Sequence, residues 1–250
     1  DGKLNTLVKD PAGRGRLVLK TFVEAGAPEE ILYWNKPHLG TDVLIGVVEH
    51  IRKEIENLGG EVRFGTQLTD IHIRDGQVRG VYTKRSSEPE QEADYLEAEV
   101  LAIGHSARDT FAMLKSRAVP MERKAFAVGV RIEHPQEMIN VSQYGEGYPK
   151  GLPTAAYKVT RKVGGGRGVY SFCMCPGGYV VNASSEEGGL AVNGMSYQAR
   201  DSRNANSAMI VTVRPEDFGG SDLLSGVEFQ RKLERAAYWA GGGRVPVQLL

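Results

Sequence analysis

From Thr41 onward, apolar residues recur at three- and four-residue steps: Leu44, Val47, Val48, Ile51, Ile55 and Leu58. That spacing predicts the apolar stripe of an amphipathic helix, capped by Thr41 and stopped by Gly59-Gly60. The pattern then shortens. Residues 61–64 read as a strand, residues 68–73 as a second, and Asp75-Gly76 as the tight turn of a hairpin into residues 78–83. Ahead of these elements, residues 1–40 are polar and turn-rich. They read as connection, with Arg14 and Arg16 alternating with glycine and a helical stretch at 17–25.

The charged, Pro-containing segment 86–94 reads as a solvated hairpin tip or loop. Residues 98–103 form a compact apolar strand that runs into Gly104-His105-Ser106, and residues 108–114 are helix-like, with Ser106 and Asp109 at capping-box spacing. A strand, a glycine turn and a helix start together present free backbone N–H groups, which suits a phosphate or another anion. An ordinary strand-to-helix junction has the same pattern. Beyond Pro120 the texture changes to short β-like runs at 125–132, 155–160, 169–174, 179–183, 190–192 and 209–213, separated by turn residues. A helix at 227–240 places Phe229, Leu233, Ala236 and Ala237 on one face. The expected fold is α+β. Residues 1–120 hold helix, strand and β-meander, and residues 121–250 hold a mostly antiparallel β-layer with an added helix.

Charge adds an exclusion. Lys+Arg and Asp+Glu both number 31, so the net charge is zero, and the excess of positive charge that holds nucleic acid or an anionic membrane surface is absent. The apolar runs fall far short of the ~20 residues of a bilayer span, so the chain is expected to be soluble and cytoplasmic. Its 31 glycines in 250 residues, against an average near 7%, point to many tight turns. The two cysteines, Cys173 and Cys175, cannot build a disulfide framework, and a bridge across one intervening residue is geometrically awkward. A reducing compartment fits that usage. The first residue is Asp1 and not Met, so the chain reads as processed or as a piece of something longer.

Candidate chemistry is sparse. No G-x-G-x-x-G, P-loop, H-E-x-x-H, paired C-x-x-C or G-x-S-x-G motif occurs, which argues against a complete dinucleotide fingerprint, a nucleotide-triphosphate loop, a zinc site or a nucleophile elbow. His105 and Ser106 are adjacent on a turn, where side chains rarely aim at each other. The Cys173-Met174-Cys175-Pro176-Gly177-Gly178 run places two thiols at a strand end entering a sharp turn. Cys173 and Cys175 are therefore candidates for catalysis, while buried packing is the simpler account of them. Asn193, Ser196, Arg200 and Asn204 lie in segments dense in hydrogen-bonding side chains, read either as solvated loops or as a substrate pocket.

Five blocks in combination carry a resemblance. They are Asp1-Gly2-Lys3-Leu4-Asn5-Thr6, Lys36-Pro37-His38-Leu39-Gly40-Thr41-Asp42, the eight residues from Gly104 to Phe111, the eleven from Phe126 to Gln136, and the Cys-Met-Cys-Pro-Gly-Gly run. Together they resemble the bacterial FAD-dependent dehydrogenases, whose architecture is similar to two-domain flavoproteins of the glutathione-reductase and hydroxybenzoate-hydroxylase type. The resemblance implies an oxidoreductase with FAD as cofactor and a small-molecule substrate. It brings Thr66, Gln67 and Leu68 to the adenine, Gly104, His105 and Ser106 beside the pyrophosphate, and Gly2 and Lys3 near the isoalloxazine. The strand, glycine loop and helix that precede the Asp-Gly-Lys-Leu block in that family are not in this sequence. The chain is therefore expected to be the middle of a longer enzyme and to retain little FAD alone. A non-catalytic ligand-binding module without a redox cofactor is the competing reading. Substrate, electron acceptor and oligomeric state are left open.

Overall fold

The computed structural model describes residues 2–4, 9–86, 89, 91–92 and 100–249. In chain order its elements are β1 (Gly2–Lys3), α1 (Arg14–Glu24), β2 (His38–Leu39), α2 (Thr41–Asn57), β3 (Thr66–Arg74), β4 (Gln77–Arg85), β5 (Gln91–Glu92) and α3 (Arg108–Ser116). They continue with β6 (Phe126–Pro135), α4 (Gln136–Tyr144), β7 (Thr160–Lys162), β8 (Gly168–Cys175), β9 (Gly178–Asn182), β10 (Val192–Ser196), β11 (Asn204–Val213), α5 (Pro215–Phe218) and α6 (Ser225–Ala240). The fold is α+β, and the pairs β1–β2, β3–β4, β4–β5, β7–β8, β8–β11 and β9–β10 are antiparallel.

Two compact units share the chain in interleaved segments. The first contains residues 1–61, 127–184 and 190–212; the second contains 62–126, 185–189 and 213–250. The crossing between Phe126 and Ala127 lies close to the change of sequence texture at Met121. The other crossings carry no such mark.

In the first unit a four-stranded sheet runs in the order β6-β11-β8-β7, and β9 and β10 form a separate hairpin. Beside them β1 pairs with β2, Lys3 opposite His38. A core of Ala25, Ala27, Ile31, Leu39 and Val47 gathers α1, β2 and α2, with Leu44 and Ile51 packed against it. Half of the predicted α2 stripe is thus used, while Val48, Ile55 and Leu58 face outward. The cap expected at Thr41 is displaced by one residue: Gly40 holds the N-cap position and Thr41 opens the helix. A Cβ on Gly40 would run into the backbone of Gln198, so this approach requires glycine.

The second unit holds the predicted hairpin. Arg74 pairs with Gln77 across a two-residue turn, and Asp75 and Gly76 have φ of 54° and 72°. Both are left-handed, as the favoured type I′ turn demands. Phe126, Phe218 and Phe229 stack into an aromatic cluster that joins the start of β6, α5 and α6.

Several expectations are corrected. Residues 61–64 and the described part of 98–103 are not strands; residues 98 and 99 lie outside the described residues, as do Asp1, Asn5, Thr6 and most of 87–99. A strand exists only where a neighbour supplies the other half of the ladder. None of the described strands pairs with either segment, so Phe64 and Val100 are 72% and 91% exposed. No capping box forms at α3, whose N-cap is Ala107 without a side-chain bond. The polar segments read as loops are partly strands: Asn193 and Ser196 belong to β10, Asn204 to β11. Their polar side chains point at other polar groups of the same unit, which is why the sequence carries no apolar alternation there. Among the described residues no helix is long and apolar enough to cross a membrane.

Candidate functional site

The site in the first unit is built around the end of β8. Opposite β11, Cys175 pairs with Asn206 but Phe172 pairs with Ala208, so two residues of β8 face one of β11. That is a β-bulge, which bends the strand and re-aims a side chain. The bulged residue is Cys173, with φ of 48°. Left-handed backbone is costly for any residue but glycine, by about 1–3 kcal/mol, and such outliers gather at functional sites. The Cys173 side chain is partly exposed, whereas Cys175 is fully buried.

Cations and hydrogen bonds converge on this pair. Lys3 Nζ lies 3.8 Å from Cys173 Sγ and also donates to the Met174 carbonyl. Arg131 Nη1 donates to the Cys173 carbonyl at 3.2 Å, reaches Cys175 Sγ at 4.0 Å, and donates to Asn206 Oδ1. Its Nη2 approaches Asn193 Oδ1 at 3.4 Å. The Cys175 thiol, hydrogen-bonded to Cys173, holds the Cys173 thiol well below the usual range, and Lys3 and Arg131 act in the same sense against burial. The same bond together with burial pushes Cys175 up. One sulfur is set to be a thiolate and the other to keep its proton.

The turn that follows is fixed by buried polar groups. Gln136 Oε1 accepts from Gly177 N at 2.8 Å while its Nε2 donates to Ala155 O and Asn140 Oδ1, both at 2.9 Å. Ser196 Oγ donates to Pro176 O at 2.8 Å. Gly177 has φ of 46°, and a Cβ there would meet the Arg200 carbonyl.

Beside this turn lie two unsatisfied groups. His38 is 8% exposed and neither ring nitrogen has a partner within hydrogen-bond geometry; Arg200 Nε is likewise buried without one. Burial first, then the Arg200 charge, lowers the His38 pKa to about 4, with Lys3 adding to the effect and the Tyr197 backbone opposing it. Burial also lowers Arg200, whose φ is 51°.

The second unit has a site of different character. Gly104, with φ of 68°, turns the chain into α3, and a Cβ there would touch nothing within 4 Å. The glycine is required by backbone conformation and not by a close approach of neighbouring atoms. His105 Nδ1 and Ser106 Oγ do meet, at 2.9 Å, contrary to the expectation for neighbours on a turn. Gln67 Nε2 donates to Asp109 Oδ2 at 2.6 Å, which ties β3 to the first turn of α3. Thr66 bonds the Phe64 carbonyl and Leu68 stands opposite Thr83.

A cleft of about 360 Å³ adjoins this helix start, lined by Ser106, Arg108, Asp109, Glu186, Leu224 and Arg231 among others. Its buried floor is Arg108, which donates from both Nη atoms to the Glu234 carboxylate at 2.8 and 2.7 Å and to Glu186 at 2.7 Å. Arg231 in turn clamps Glu186 and Glu228. With Arg231 and Arg108 beside it, the Glu186 carboxyl is held at about 2.

The structure thus brings Lys3, Cys173, Cys175 and Asn193 together, and separately brings Gln67 to the helix that follows Gly104, His105 and Ser106. Gly2 supports Lys3 by close strand approach, since a Cβ would strike the Leu39 carbonyl. Asn204 is spent on Glu133. Sequence reasoning overlooked Arg131, Gln136 and His38. A lone arginine inside the apolar run 126–132 was the available signal for Arg131; the others carried none. Among the described residues no group of three or more His, Cys, Asp or Glu side chains converges as a metal site would require.

Residues 125–250 match the family described as "FAD-dependent protein, C-terminal domain-like". The chain belongs to this FAD-dependent family. A relative in Clostridium beijerinckii (strain ATCC 51743 / NCIMB 8052), described as "Uncharacterized protein", is 54% identical over 257 residues, covering 100% of this chain and 46% of the relative. The chain therefore spans about half the length of the curated relative it matches.

The family implies FAD, and the residues present fit part of it. The uncapped first turn of α3, entered through Gly104, offers backbone N–H groups to a phosphate. The cleft beside it is at the small end of ligand pockets, of a size for a fragment and not a whole dinucleotide. Its two arginines are already neutralised by Glu186, Glu234 and Glu228.

Proposed function

We propose that this chain supplies the substrate domain and some flavin-contacting segments of an FAD-dependent oxidoreductase of the two-domain type, acting on a small molecule in a reducing, cytoplasmic setting. The observation that carries this reading is the cation-flanked thiol pair at Cys173 and Cys175 in a chain of an FAD-dependent family. A bound flavin supplies two-electron chemistry, leaving the protein to position substrate and tune charge. On the second unit, Thr66, Gln67 and Leu68 serve the adenosine side, and Gly104, His105 and Ser106 the phosphates. On the first, Gly2 and Lys3 present a positive charge beside the thiols, while Asn193, Ser196, Arg200 and Asn204 frame the substrate region. Within that region the unpartnered Nε of Arg200 suits an anionic substrate group, and Ser196 acts by fixing the turn. These roles are assigned by the two interleaved units, an arrangement natural where one domain is inserted in another.

Flavin retention tests it. The Clostridium relative, expressed at full length, is expected to purify with flavin absorbance, and this chain alone with little or none. Added FAD, followed by its fluorescence, is expected to bind this chain weakly, and Gly104→Val to weaken it about tenfold more, the effect of losing roughly 1.4 kcal/mol of backbone contact. A colourless full-length relative that ignores added FAD would favour a non-catalytic ligand-binding module instead.

A further inference from the structure

We propose that Cys173 and Cys175 form a reversible dithiol–disulfide couple, with Cys173 attacking a disulfide substrate and Cys175 resolving the mixed disulfide. The inference deepens the oxidoreductase reading by naming a substrate class, and it rests on that reading for its biological role only.

Geometry supplies the argument. Two residues i and i+2 of a flat strand lie about 6.6 Å apart, near the upper limit for a disulfide. Here the strand is not flat, because the bulge at residues 173–174 bends β8 and Cys173 is left-handed. The Cys175 thiol turns back toward its partner and donates to the Cys173 carbonyl at 3.3 Å. A glycine at position 173 would adopt this backbone without strain, yet the position holds a nucleophile. Cys173 is the partly exposed member and Cys175 the fully buried one, which is the order an attacking and a resolving thiol require. Lys3 Nζ, 3.8 Å from Cys173 Sγ, and Arg131, bonded to the Cys173 carbonyl, favour negative charge on the outer sulfur. Gln136 and Ser196 hold the adjoining turn from within.

The step balances with a low-molecular-weight disulfide as oxidant. The Cys173 thiolate attacks one sulfur of glutathione disulfide, the S–S bond breaks, and one glutathione thiolate leaves. Cys175 then attacks Cys173 Sγ, its proton passing to the second departing glutathione. Two thiols become one disulfide and two glutathiones are released. Thiols of the substrate class, or a two-electron donor, reverse it.

Equilibrating the full chain with graded ratios of reduced to oxidised glutathione, quenching with acid, alkylating and weighing it tests the couple without flavin. The expected result is a species two hydrogens lighter with both cysteines protected, its population following the glutathione ratio. Cys175→Ser is expected to stop at a glutathione adduct on Cys173, and Cys173→Ser to take none. Lys3→Met should slow adduct formation at neutral pH about tenfold by raising the thiol pKa. Two alkylatable thiols at every ratio, or a wild-type chain that halts at the single adduct, would overturn the proposal. Because no flavin is needed, that failure is separate from a failure of the full-length relative to bind FAD.

Discussion

Arg131 and Gly194 compete for one volume: the Arg131 guanidinium stands where a Cβ on residue 194 would be, with Asn206 Oδ1 beside it. Arginine is flexible, but this one is anchored on the buried Asn206 and on the Cys173 carbonyl. Gly194→Ala must displace it. The expected cost is about 2 kcal/mol, typical of overpacking, read as a lowered urea midpoint with unchanged slope. An unaltered midpoint would mean that Arg131 swings clear at no cost.

Arg108 depends on Glu234 in the same way that a buried charge depends on its partner. Its side chain is 5% exposed, and Glu234 takes both Nη donors. Glu234→Ala removes two charge-assisted hydrogen bonds and leaves Arg108 to Glu186 alone, so it is expected to cost about 2 kcal/mol. Glu234→Gln, which keeps an acceptor, should cost less than half of that. Equal losses in the two variants would show that carboxylate charge is irrelevant there.

Acidification should weaken the first unit through His38. Its pKa is lowered from 6.5 to about 4 in the folded chain, so between those values the unfolded state binds a proton that the folded state refuses. Stability is therefore full above pH 6.5 and declines as pH falls toward 4. At pH 4.5 the deficit attributable to this residue should approach about 2–3 kcal/mol. Denaturation of the wild type and of His38→Gln at pH 7 and 4.5 isolates the contribution. A wild type that loses no more than the variant would refute it.

Gln136→Leu should expose how the thiol-bearing turn is held. The substitution is close in size but strands Gly177 N and Ala155 O, which Gln136 bonds at 2.8 and 2.9 Å. Two orphaned buried groups predict a loss of about 3 kcal/mol. Faster alkylation of Cys175 by mass spectrometry should accompany it, as the turn loosens.

Local patterns in the sequence determined the elements that depend on near neighbours. The three-and-four spacing behind Thr41, the Asp75-Gly76 pair and the Phe229–Leu233–Ala236 face specify helix, hairpin turn and helix, because each is a statement about residues within a few positions. The two thiols before Pro176-Gly177-Gly178 likewise announced a strand end entering a turn. Tertiary structure decided what needs a distant partner. Residues 61–64 and 100–103 have the composition of strands but no described ladder to join, while Asn193–Ser196 and Asn204–Ser207 lack apolar alternation yet are strands, because their polar side chains bury against Arg131, Pro176 and Cys175. The bulge at Cys173 and the approach of Lys3 across 170 positions are likewise products of pairing register. Register is set by which strand lies alongside, and no local spacing encodes that.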